Sequence, residues 1–132
     1  LDKNEIANSW VDKDGIVFIY DPVHKANIWM LISESHEKFR EIIKKHIPNI
    51  DGLFSDLALY EKTDGGHIQV GIEEYTIDIV WSKNKLSVLC HEIYHAVYSI
   101  LADRRIDPNE SGAYLFEFIL REILKHKQIK RG

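Results

Sequence analysis

Two histidines stand four residues apart in His91-Glu92-Ile93-Tyr94-His95. On a helix, residues at i and i+4 share one face, so two imidazoles at this spacing can converge on one metal ion. Zinc suits such a donor set, with Zn–N bonds of about 2.0–2.1 Å. Glu92 follows His91 by one position, about 100° further round the helix. That places its carboxylate beside an ion rather than on it. There it can take a proton from an attacking water and return it to a leaving amine. The contrary reading is two core histidines bonded to carbonyls, with Glu92 in an ion pair. The apolar surroundings argue against it, because a buried carboxylate and two buried rings are costly unless something satisfies them.

A catalytic zinc ordinarily takes three protein ligands and keeps one position open. A third histidine six residues after His95 is absent, since Leu101 stands there, and Tyr98 replaces the glycine that such a pattern needs. The downstream acids are Asp103, Asp107, Glu110, Glu117 and Glu122. Asp103 lies too near the end of the same helix to fold back, and Asp107 sits in a connecting loop. Glu110 opens the next helix, which a short loop would return antiparallel. It is the preferred third ligand, with Glu117, one heptad on, as the fallback or as a partner to a ligand. On its own, Glu110 reads as a helix-start carboxylate favoured by the dipole. The group that stabilises charge on a substrate oxygen is open among Tyr94, Tyr98, Tyr114, His67 and His126. The tyrosines read first as core residues with bonded hydroxyls, and His67 reads as a surface histidine. Cys90 reads as a small buried apolar residue.

The elements that must position these groups follow from patterning. Residues 16–20 are β-branched and aromatic and end at Asp21-Pro22, which predicts a strand. Residues 27–32 predict another. Residues 33–47 predict a helix capped by Ser33 or Ser35 and stopped by Pro48. Residues 57–61 and 67–72 flank Thr63-Asp64-Gly65-Gly66, a hairpin signal. Residues 76–81 predict a further strand. Either that strand or the hairpin could offer an edge for an extended substrate. Residues 85–102 lack Gly and Pro and are apolar almost all round, which predicts a helix buried on most sides. A polar break over 103–108 leads to Asn109 as N-cap and a last helix over 110–126. The fold class expected is α+β: a small, mostly antiparallel sheet packed with an N-terminal helix and two C-terminal helices.

The bulk numbers bound the rest. The 132 residues, 45% hydrophobic and 29% charged, fit one domain spanning 1–132. A net charge of −4 with pI near 6.0 argues against a nucleic-acid partner. The basic tail of Lys125, Lys127, Lys130 and Arg131 reads as a solvated, frayed end. A single cysteine allows no internal disulfide and fits a reducing, cytoplasmic setting. No apolar run approaches the roughly 20 residues of a membrane span. The N-terminal residues do not read as a signal peptide.

With these residues in view, the chain resembles the gluzincin type of zinc peptidase. His91-Glu92-x-x-His95, the polar break and Glu110-Ser111-Gly112-Ala113-Tyr114-Leu115 carry the likeness. It is more closely similar to small phage and prophage proteins with a metallopeptidase-like core, over residues 76 to 124. The resemblance implies a zincin-like domain, a Zn2+ cofactor held by His91, His95 and Glu110, and Glu92 as base. It implies hydrolysis of a peptide or protein substrate within a bacterial host cell. One departure is plain: Tyr114 stands where gluzincins carry the aspartate that orients a ligand histidine. Two other readings stay open, a non-catalytic zinc-binding interaction module on the same fold and a metal-free structural domain.

Overall fold

The computed structural model describes residues 7–50, 64–72 and 74–132. Its elements are β1 (Ser9–Val11), β2 (Val17–Asp21), β3 (Ala26–Ile32), α1 (His36–His46), a 3-10 turn (Pro48–Ile50), β4 (Gly65–Ile72), β5 (Tyr75–Ser82), α2 (Leu86–Asp103) and α3 (Glu110–Leu124). The five strands form one sheet in the order β1-β2-β3-β5-β4. All pairs are antiparallel except β3 with β5, and the connection between those two carries α1. The fold is therefore α+β, with, among the described residues, one α-helix before the last strands and two after them.

Alternation along the strands splits the core into two layers. Val17, Ile19, Ile28, Met30 and Val80 meet Leu89, Ile93, Ala96 and Ile100 of α2 and Leu115, Ile119 and Ile123 of α3. Leu31, Ile77, Ile79 and Trp81 face the other way, onto Phe39, Ile42 and Ile43 of α1. Helices on both faces explain why β3 and β5 read as nearly continuous apolar runs. Ser35 caps α1 by accepting from the Lys38 amide, and the helix ends before Pro48.

Several expectations change. The 57–61 arm of the predicted hairpin lies outside the described residues. Gly65 and Gly66 belong to a strand rather than a turn, and β4 pairs with β5. β5 is internal, and among the described strands the edge on this side is β4. Ser9–Val11, too short to show a period, adds a strand at the opposite edge. Asn109 precedes α3 as expected, but its side chain caps nothing. The tail is not frayed. Lys85 supplies no side-chain cap to α2, and the Leu86 and Ser87 amides donate instead to the carbonyls of Lys130 and Gly132, at 2.9 and 2.7 Å. The docked tail thus satisfies amides that a helix start leaves without partners.

Candidate metal centre

α2 is less buried than its composition suggests. Leu89, Glu92, Ile93, Ala96, Val97, Ile100 and Leu101 are covered, whereas His91, Tyr94, His95 and Tyr98 form an exposed stripe. The three tyrosines expected in the core are surface residues, with Tyr94 60% exposed, and Cys90 is only partly covered. Aromatic side chains count as apolar in a helical pattern yet tolerate an exposed face.

The stripe brings the two histidines together. Their Nε2 atoms are 3.1 Å apart. Two nitrogens bound to one tetrahedral zinc at ordinary bond lengths would stand about 3.3–3.4 Å apart. The two rings are within hydrogen-bonding distance of each other, and their separation is close to that of two ligands of one ion. Desolvation by the surrounding protein lowers the His95 pKa, and the charges of His91 and His67 lower it further. The neutral ring is the form that ligates a metal.

Glu92 points inward and is buried. Its Oε1 lies 3.9 Å from His91 Nε2. Burial pushes its carboxyl above the ordinary value, opposed by the nearby His91 and His67. A carboxylate lifted in this way is closer to the pKa that a general base needs near neutral pH. Its burial depends on a close approach by β4. A Cβ built on Gly65 would meet Glu92 Cγ and the Trp81 carbonyl oxygen at 2.8 Å each, and Val88 Cγ1 at 3.2 Å. Only glycine lets the strand pass this near the helix.

Together these groups line an open cleft of about 580 Å³, whose walls include Gly65, His67, Ser87, His91, Glu92 and His95. The edge strand β4 forms one wall and α2 the other. His67 is not the surface histidine the sequence suggests. Its side chain is 12% exposed, and its Nε2 lies 2.7 Å from Oδ1 of the buried Asp78. The register explains the contact: His67 opposes Val80 and Gln69 opposes Asp78, so His67 and Asp78 are diagonal neighbours on the α2 face.

Glu110 is not brought to the pair. α2 continues to Asp103, eight residues beyond His95, so α3 begins level with the last turns of its partner. Gly112 accordingly sits against Leu101 and Val97. Glu110 is exposed, and Glu117 points outward to Arg121. The short loop does return the chain antiparallel, but the extra helical turns displace Glu110 from the histidines. The other candidates are engaged elsewhere. Asp107 accepts from the Asn109 amide, Glu122 pairs with Ser9 and Lys125, and His126 pairs with Ser9.

Among the described residues, one group of three donors lies close enough to share an ion: Asp12, Asp14 and His46. No metal-ligand spacing in the sequence points to this group. Its signal was Asp12-Lys13-Asp14-Gly15, a turn in which Asp12 Oδ1 accepts from the amides of Asp14 and Ile16. Lys45 already stands 3.4 Å from Asp14, and the His46 ring lies 3.3 Å from Asp12.

No protein-family model, curated protein or solved structure matches the chain. No helix among the described residues is long and apolar enough to cross a membrane.

Proposed function

We propose that the chain is a zinc-dependent hydrolase of the metallopeptidase type, acting on a peptide or amide carbonyl in the cleft between α2 and β4. The observation that carries this reading is the convergence of the two Nε2 atoms at 3.1 Å beside a buried carboxylate of raised pKa. His91 and His95 hold the ion. A bound zinc supplies a Lewis acid that polarises a carbonyl and acidifies water. Glu92 takes the proton of the attacking water and delivers it to the departing amine. β4 ends the sheet among the described strands, and an extended peptide can lie along that side of the cleft by backbone pairing. Glu110 is not counted in the donor set, because its carboxylate lies outside the converging group.

The test is a pair of measurements on one variant. Glu92→Gln keeps the shape of the side chain and removes the base. The expected outcome is a zinc content equal to the parent's and a loss of at least about 100-fold in cleavage of a quenched fluorogenic peptide library. Unchanged cleavage by Glu92→Gln would remove Glu92 from the mechanism. A second reading, a zinc-binding interaction module that cuts nothing, is favoured by the 67% exposure of the His91 side chain and the openness of the cleft. It predicts zinc uptake with no cleavage by the parent protein.

A further inference from the structure

Residues 128–132 run back over the start of α2, and their hold on it centres on Asn84, in the connection between β5 and α2. Asn84 Nδ2 donates to the Gln128 carbonyl at 3.1 Å, and Asn84 Oδ1 accepts from the Lys130 amide at 2.8 Å. One side-chain amide thus pairs with the backbone on both sides of Ile129, as a neighbouring strand would. Ile129 itself packs against the core shared by the sheet, α2 and α3. The carbonyls of Lys130 and Gly132 then accept from the Leu86 and Ser87 amides. The residues held in this way belong to the cleft. Ser87 and Val88 line it, and Val88 Cγ1 is among the atoms that a Cβ on Gly65 would meet. Lys83, next to Asn84, is tied to the opposite wall: its amide donates to the Asp64 carbonyl at 2.8 Å, and its Nζ stands 2.9 Å from Asp64 Oδ1. The helical ladder carries the constraint on to the metal pair. The His91 amide rests on the Ser87 carbonyl, four residues back, and the His95 amide on that of His91. A helix frays from its first turn, whose amides lack partners within the helix.

We propose that residues 128–132 are a strap that holds the first turn of α2 against β4, and that its release loosens this wall of the cleft and the His91–His95 pair with it. With the strap docked, the two imidazoles are held in place before an ion arrives. With it released, part of the ion's binding free energy goes into re-forming the turn. The strap therefore acts as a conformational control on the cleft from outside it. Its effect on the metal rests on the zinc reading, whereas its effect on the helix does not.

Two variants release the strap from different sides. Asn84→Ala removes both side-chain bonds, and Ile129→Ala removes the apolar anchor. Amide hydrogen exchange of the metal-free protein, followed by NMR, is the first readout. In both variants the Leu86 and Ser87 amides should exchange at least about tenfold faster, the size of two lost hydrogen bonds. The amides from Ile93 to Ile100 should keep the parent's rates. Zinc affinity, measured by competition with a chelator, is the second readout and should fall about threefold to tenfold. Unchanged exchange at Leu86 and Ser87 in either variant would overturn the inference. Equally faster exchange along the whole of α2 would overturn it too, since the segment would then serve the stability of the fold and not the first turn. So would the parent's full zinc affinity in a variant whose first turn is frayed. A parent that takes up no zinc would strike the zinc reading alone, and the exchange rates would then decide the strap.

Discussion

Two regions of the molecule bring imidazole and carboxylate groups together, and they differ in what surrounds them. At the β1–β2 turn, Asp12, Asp14 and His46 gather three donors, but the residues are exposed or half-exposed and a lysine already answers their charge. In the cleft, His91 and His95 gather only two donors, yet Glu92 is buried beside them and the protonation of both Glu92 and His95 is shifted by desolvation. The proposal therefore places the ion at the pair beside the buried carboxylate and not at the larger group of donors. Surface clusters of opposite charge contribute little and are common. A group held in an unfavourable protonation environment next to a cavity is the stronger pointer to chemistry.

The largest expected difference between the regions is in metal affinity. His95→Ala should weaken zinc binding by at least about 100-fold, since it leaves one imidazole, whereas Asp12→Ala should leave the zinc affinity of the cleft unchanged. Competition with a chromophoric chelator measures both. Equal losses in the two variants would erase the distinction drawn here.

Next in size is the effect of the contact that buries Glu92. Gly65→Ala adds a methyl group where backbone and side-chain atoms lie 2.8 Å from its position. It should destabilise the fold by about 1–3 kcal/mol, the usual consequence of overpacking. Chemical denaturation reads the change. At the other cluster, Asp14→Asn should shift stability by no more than about 0.5 kcal/mol.

The smallest expected effects are on pH dependence, and their signs differ between groups. Glu92 has a folded pKa above its unfolded value of 4.5. The folded protein therefore binds its proton more tightly, and the metal-free protein loses stability as pH rises from 4.5 through the folded pKa. Glu92→Gln should flatten that limb and raise the melting temperature at pH 7. His95 has a folded pKa below 6.5, so its contribution is present above 6.5 and falls away as pH drops through the folded value. His95→Gln should flatten the acid limb. Thermal melts of the metal-free protein across pH 4–8 separate the two.

How far the fold and site were legible follows from which interactions are local. The i, i+4 histidine pair, the Ser35 cap and the strong strands are fixed by residues within a few positions, and the α+β layout follows from their order. The edge position of β4 was not legible, because strand order is set by a crossover between β3 and β5. Nor was the covered state of His67, which depends on Asp78 eleven residues away across a strand pair. Glu110 marks the limit of the spacing argument. A short loop gives the direction of the returning helix, but the overrun of α2 past His95 decides where that helix begins. The apolar look of α2 misled for a related reason: Tyr94 and Tyr98 count as hydrophobic in a pattern and yet stand in solvent beside the histidines.

The central claim is that His91 and His95 share one zinc ion. Zinc titration followed by native mass spectrometry tests it most directly, on the parent protein and on the His91→Ala/His95→Ala double variant. The account predicts one zinc per parent chain and none retained by the double variant. A parent that takes up no zinc, or a double variant that holds it as tightly as the parent, would contradict it.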